Sequence, residues 1–128
     1  MIYLDTHVVA WLYAGFTARL SPAAREMINQ HDVYLSPIVI LELQYLYEIG
    51  RTTATGLEVM HALTQSIGLR LCDQPFPSII AQASQQTWTR DPFDRIIVGH
   101  AALRQQPLIT KDQHIHEHYP LAVWSASS

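Results

Sequence analysis

Met1-Ile2-Tyr3-Leu4-Asp5-Thr6-His7-Val8-Val9-Ala10-Trp11-Leu12-Tyr13 opens the chain, and Gly15 follows shortly after. The first four residues are an unbroken apolar run, too short for a helix and typical of a strand buried on both faces. An acid interrupts it, and a helix is expected from Thr6 to Tyr13, stopped by Gly15. A buried strand, a carboxylate at its C-terminal end and a helix leaving from that point form the first part of a βαβ unit. Leu108-Ile109-Thr110-Lys111-Asp112 has the same form: a short apolar strand with an acid just beyond its end.

Strands and helices alternate between these two segments. Ser21-Pro22 supplies an N-cap and a proline for the first helical position, so a helix should run from Pro22 to about Gln30. Val33-Tyr34-Leu35 reads as a strand. Ser36-Pro37 starts a helix through Glu48, with Gly50 as its C-cap. Thr55 to Ser66 reads as a helix ended by Gly68, Leu69 to Cys72 as a third short strand, and Pro77 to Gln86 as a helix. Asp91-Pro92 caps a helix that runs to about Gln105, and Leu108-Ile109-Thr110 is a fourth strand. His114 to Tyr119 is expected to be irregular or a single turn, and Ala122-Val123-Trp124 a last edge strand. The expected class is α/β: three layers, α/β/α, around a central, mostly parallel sheet of four to five short strands. No repeat or linker divides the chain, so residues 1–128 read as one domain, with 1–124 as core and 125–128 as a frayed tail.

Four acids adjoin sequence that such a fold buries. Asp5 follows the first strand, Glu42 lies inside Ile38-Val39-Ile40-Leu41-Glu42-Leu43, Asp94 precedes Ile96-Ile97-Val98, and Asp112 follows the fourth strand. A buried ionised carboxylate is expensive unless it is paired or coordinates a metal. Asp5 and Asp112 fall at the carboxyl ends of strands, where open α/β sheets bind ligands. One acidic pocket holding divalent cations accounts for all four. The chain has 8 Lys and Arg, 11 Asp and Glu and a net charge of −3. Without the four acids the remainder is weakly basic, so a phosphodiester substrate is not excluded, although the charge argues against tight, extended non-specific binding. The single cysteine, Cys72, excludes an intramolecular disulfide and reads as a core thiol of a reducing, cytoplasmic compartment. No apolar run is long enough to span a membrane, and the first residues do not resemble a signal peptide.

Asp5-Thr6-His7, Glu42-Leu43, Asp91-Pro92-Phe93-Asp94-Arg95-Ile96-Ile97 and Thr110-Lys111-Asp112 stand in the order typical of PIN domains, and the chain most resembles the VapC-like toxin ribonucleases of bacterial toxin–antitoxin pairs. The resemblance covers residues 1 to about 112. Asp91-Pro92-Phe93-Asp94-Arg95 is its most specific segment. His7 departs from the Asn that many members carry after the Asp-Thr pair. The resemblance implies a PIN-like fold, with Asp5, Glu42, Asp94 and Asp112 as both the metal-site and the catalytic acids. It also implies an endoribonuclease toxin with an RNA substrate, neutralised by a cognate antitoxin.

The chemistry of the residues agrees with this. Phosphodiester hydrolysis needs an activated water and relief of charge at the reacting phosphate, and carboxylates holding one or two divalent ions supply both. An Asp/Glu-only donor set suits Mg2+, with Mn2+ as a substitute, better than Zn2+. Asp5 and Asp94 are expected to ligate the main ion, with Glu42 and Asp112 completing the pocket. The plainer reading, that these acids cap helices or form surface ion pairs, is strongest for Asp112. Asp91 reads first as an N-cap and second as a site acid. Thr6 and Thr110 are expected to bond a site carboxylate or water, or else to cap helices. Arg95 is expected to steer a phosphate or pair with a site acid, and Lys111 and Arg90 to touch phosphate or remain solvated. His114-Ile115-His116-Glu117-His118 resembles a metal tract but has no standard zinc-ligand spacing for a loop. Trp11, Tyr13, Tyr45 and Tyr47 offer base stacking, though Trp11 and Tyr45 read more readily as packing groups. The excess of apolar surface from Ile38 to Leu46 points to a homodimer contact or an antitoxin groove.

Two other functions fit less of the sequence. One is a PIN-type nuclease of RNA maturation or DNA processing without an antitoxin; the other is a non-catalytic PIN-like binding module. A phosphotransfer receiver domain would need its Asp at the end of the third strand, where only Asp73 stands without the other signatures.

Overall fold

The computed structural model describes residues 1–125; of the tail expected at 125–128, residues 126–128 lie outside the described residues. The strands are β1 (Ile2–Leu4), β2 (Val33–Leu35), β3 (Arg70–Leu71), β4 (Leu108–Ile109) and β5 (Ala122–Val123). The helices are α1 (Thr6–Ala14), α2 (Pro22–Gln30), α3 (Ile38–Glu48), α4 (Gly56–Ile67), α5 (Phe76–Ser84), α6 (Pro92–Leu103) and α7 (Gln113–His118), with a 3-10 turn at Thr17–Arg19. None of these helices is long and apolar enough to cross a membrane.

The five strands form one sheet in the order β3-β2-β1-β4-β5, and every pairing is parallel. The expected α/β/α layering with a parallel sheet is what the chain adopts. Parallel neighbours need crossover connections, so helices cover the sheet and the central strands are dry. Ile2, Leu4, Leu35, Leu108 and Ile109 are fully buried and Tyr3 nearly so. Tyr3 keeps its hydroxyl satisfied by donating to Cys72 Sγ at 3.1 Å, so Cys72 is a buried core thiol. Burial moves the Tyr3 phenol well above its ordinary range.

Strand order decides where a ligand can enter. From β1 the chain steps through β2 to β3, then returns to the other side of β1 for β4 and β5. Helices leaving β1 and β4 therefore diverge, and the crevice between the carboxyl ends of those two strands is the switch point of the sheet.

Local caps match the expected ones at α2, where Ser21 Oγ accepts from Ala24 N at 3.0 Å, and at α6, capped by Asp91. Gly50 sits one residue past the C-cap Ile49 with φ +81, the left-handed position after a helix end. One expectation is corrected. His114 to Tyr119 is not irregular: Gln113–His118 is a helix, capped by Asp112, whose Oδ1 accepts from His114 N at 2.8 Å and Ile115 N at 3.3 Å. Fully buried Ile115 anchors it to the core, a tertiary contact that the His-rich local sequence does not announce.

Helix α4 packs on α3 through Gly56, where an added Cβ would stand 2.2 Å from the backbone oxygen of Ile40. Backbone cannot yield as a flexible side chain does. Gly56→Ala should therefore separate α3 from α4 and destabilise the fold by about 1–3 kcal/mol, the usual range for overpacking. Urea unfolding of the variant beside wild type checks this; equal midpoints would show that the contact relaxes freely.

Candidate active site

The crevice between β1 and β4 is where the acids meet. The ladder continues past β1, with Asp5 N donating to Ile109 O at 3.0 Å. The register that pairs Leu4 with Ile109 sets Thr110 opposite Asp5. Thr110 Oγ1 donates to Asp5 Oδ2 at 2.7 Å, and Thr6 N donates to Asp5 Oδ1 at 2.8 Å, so both carboxylate oxygens are held. Asp5 is only 7% exposed. Burial pushes its carboxyl above the usual range, the two hydrogen bonds oppose that, and the charge of Asp112 adds to it.

Glu42 reaches the crevice from α3 and accepts a hydrogen bond from Thr6 Oγ1. Thr6 thus serves two acids, its amide Asp5 and its hydroxyl Glu42. Burial first, then the charges of Asp5 and Asp91, raise the Glu42 carboxyl. Asp94 lies in the first turn of α6, and its carboxyl is pushed up to about 7 by burial and then by repulsion from Asp91, Asp5, Asp112 and Glu42.

Asp91 and Asp112 are helix N-caps and pocket residues at once. Asp91 Oδ1 accepts from Phe93 N at 2.8 Å and from Asp94 N at 3.4 Å. Both caps engage Oδ1. Asp112 is further tied to the site because its own N–H donates to Thr110 Oγ1 at 3.1 Å. Asp5, Glu42, Asp91, Asp94 and Asp112 line one cavity of about 480 Å3, together with His7, Val8, Trp11 and Lys111. Val8 was not foreseen; it stands three residues after Asp5 on the same helix face, a spacing that would have placed it.

Among the described residues none of these five acids is in an ion pair, and the ion pair present joins Arg104 to Asp73 at 3.3 Å. Arg95 does not supply the missing charge. Its Nε donates to Ala83 O at 3.0 Å and its guanidinium to Ser84 O at 3.2 Å, so it satisfies the carbonyl end of α5. Arg90, exposed, donates to Thr87 O at 3.3 Å. Among the described residues Lys111 is the one Lys or Arg lining the cavity. A set of carboxylates short of positive charge, with Asp5 buried and Glu42 and Asp94 half-buried, fits a hard divalent cation.

A larger cavity of about 580 Å3 adjoins the acidic one and shares His7 and Trp11 with it. Its walls include Tyr13, Phe16, Leu43, Leu46 and Val59. Trp11 is half-buried, packed on the core and tilted against Trp124 at 6.1 Å between ring centroids, so it packs and lines both cavities together. Tyr45, on the outer side of α3, stacks on Phe93 of α6 with centroids 6.3 Å apart.

The PIN domain family model matches residues 2–119. The chain is similar to "Ribonuclease VapC22" of Mycobacterium tuberculosis (strain ATCC 25618 / H37Rv), being 28% identical over 132 aligned residues that span 96% of this chain and 98% of that protein. Among solved structures it is similar to VapBC2 from Rickettsia felis, crystallised with a DNA fragment of the promoter: TM-score 0.66, 18% identity, 98% of this chain and 100% of that one. It is also similar to a toxin–antitoxin complex from Klebsiella pneumoniae, with TM-score 0.65 at 16% identity over 96% and 97% of the two chains. At these identities the structural likeness is one of fold.

The raised carboxyl of Asp94 fixes a sign. Its folded pKa of about 7 exceeds the ordinary 3.8, so between these values the folded chain holds a proton that the unfolded chain has released. The metal-free fold loses stability from this group as pH rises through that window. His100, buried with its pKa lowered to about 4, acts oppositely as pH falls below its ordinary 6.5. The difference between wild type and Asp94→Asn isolates the acid. In EDTA, Asp94→Asn should melt several degrees above wild type at pH 8, with the gap closing towards pH 4. A variant that melts at or below wild type at pH 8 would show that the charge is already compensated.

Proposed function

The chain belongs to the PIN domain family, and from that premise we propose that it is, as one domain, an Mg2+-dependent endoribonuclease toxin held inactive by a cognate antitoxin. The observation that carries this reading is the meeting of Asp5, Glu42, Asp91, Asp94 and Asp112 in one cavity without an ion-pair partner among the described residues. A relative named as a ribonuclease and neighbours solved as toxin–antitoxin assemblies support the activity and the kind of partner.

Asp5 and Asp94 are the acids that would hold the principal Mg2+, with Mn2+ able to replace it, and Glu42 and Asp112 would complete its surroundings. When bound, the cation neutralises charge on the reacting phosphate and lowers the pKa of water. The chain's own groups do the positioning. Thr110 and the Thr6 amide fix both oxygens of Asp5, leaving it little freedom to rotate. Glu42, with Oε1 engaged by Thr6, keeps its second oxygen for orienting the attacking water. Lys111 supplies a cation for the RNA backbone at the cavity wall. Water attacks phosphorus and the ribose 3′ oxygen leaves, so the products carry 5′-phosphate and 3′-hydroxyl ends.

The apolar cavity beside the acids suits an amphipathic helix of the antitoxin, which would lay its apolar face on Trp11, Phe16, Leu43 and Leu46. Outward apolar residues elsewhere, including Phe76 and Ile80 of α5, support a homodimer.

Induced wild type should arrest growth and create discrete new 5′-phosphate RNA ends, and Asp94→Asn should do neither while remaining folded. Arrest by both forms would point to binding rather than cleavage. Folded wild type that neither arrests growth nor cuts RNA would shift the reading to a PIN-type protein without a toxin role. A milder change addresses positioning: Thr110→Val removes the donor to Asp5 Oδ2 and should raise the Mg2+ concentration for half-maximal cleavage about 10–100-fold, the usual effect of losing a group that orients a metal ligand. An unchanged Mg2+ requirement would place Asp5 outside the metal site.

A further inference from the structure

We propose that His114, Glu117 and His118 form a second metal site, separate from the acidic cavity, that takes a borderline divalent cation of the Zn2+ class. In sequence the tract has no ligand spacing, but the structure winds it into α7, and this changes the geometry. Residues 114, 117 and 118 stand at i, i+3 and i+4 on one helix face. One ligand atom from each lies within 4.8 Å of the others, close enough for a single ion to draw them together. All three side chains are exposed, so an ion enters from solvent and keeps water in its remaining position.

Two further contacts prepare the imidazoles. His118 Nδ1 stands 3.0 Å from the carbonyl oxygen of His114. A ring nitrogen facing a carbonyl donates, so the neutral ring carries its proton on Nδ1 and its lone pair on Nε2. A backbone carbonyl on the far nitrogen is how metal-binding histidines are commonly held. Trp88 holds the rings in place: His118 lies flat on the indole, with centroids 5.0 Å apart and planes 4° apart, and His114 meets it edge-on at 4.9 Å. Trp88 is itself packed on the core, and its Nε1 donates to Gln86 Oε1 at 2.8 Å. Stacking covers one face of His118 and leaves the ring edge that bears the Nε2 lone pair outside the stack. Two imidazoles and one carboxylate favour Zn2+ over Mg2+, which prefers oxygen alone, so the two sites select different ions. An ion bridging 114 and 118 also fastens the turn of α7 that follows its Asp112 cap.

Calorimetric titration of untagged protein with Zn2+, in excess Mg2+, tests the proposal without reference to nuclease activity. Wild type should bind one Zn2+, with affinity reduced at least tenfold by His114→Ala or His118→Ala and several-fold by Glu117→Gln. Zn2+ should raise the melting temperature of wild type but not of the histidine variants. If His118→Ala disturbs Trp88 and unfolds, His114→Ala alone decides. No Zn2+ binding by wild type, equal binding by the histidine variants, or loss of binding in Asp94→Asn instead, would each overturn the site.

Discussion

Unbalanced negative charge at one end of the sheet is the constraint around which this fold is arranged. Five carboxylates converge where β1 and β4 end, and among the described residues no guanidinium or ammonium is ion-paired to any of them. Inside a protein such repulsion is screened far less than in water. The chain relieves it only in part. Threonine hydroxyls and one backbone amide bond Asp5 and Glu42, which lowers the charge density on particular oxygens without adding positive charge. The remaining penalty is borne by the dry central strands and the helices over them.

Helix starts do much of the positioning. Asp5, Asp91 and Asp112 are the N-caps of α1, α6 and α7, and Asp94 lies in the first turn of α6. Three helices therefore begin at the cavity and direct their unsatisfied N–H groups towards the acids. That end of a helix dipole favours negative charge. Capping fixes each carboxylate through Oδ1 while the residue still faces the cavity. For Asp91 and Asp112 the cap hydrogen bonds engage Oδ1 while the residue also lines the cavity, so a capping role and a place at the cavity, which compete when the sequence is read alone, occur together.

The legible part of the molecule was the part governed by short-range periodicity. Apolar runs bounded by caps gave the strands, their parallel arrangement and the acids at their ends. Arg95 misled because adjacency in sequence is not adjacency on a helix. One residue beyond Asp94 is about 100° around the axis, so its guanidinium meets the end of α5. Helix α7 was obscured because six residues with three histidines carry no apolar stripe; its evidence is one cap and one buried isoleucine. The close approach at Gly56 was equally invisible, since the oxygen that excludes a Cβ belongs to Ile40, sixteen positions earlier.

The two cavities are not independent, because Trp11 and His7 belong to both. Trp11 makes tilted ring contacts with both His7, with centroids 6.2 Å apart, and Trp124. A body seated among Tyr13, Phe16, Leu43 and Leu46 would press on Trp11, which also lines the acidic cavity. Close-packed side chains pass on such a displacement instead of absorbing it. Occupancy of the apolar groove would therefore alter a wall of the acidic cavity, even for an occupant that never touches a carboxylate. An acidic residue reaching from such an occupant into the neighbouring cavity would be repelled by its five carboxylates, whereas a basic one would add to the single positive charge of Lys111 there. The charge pattern of the site thus selects the chemistry of whatever can close it.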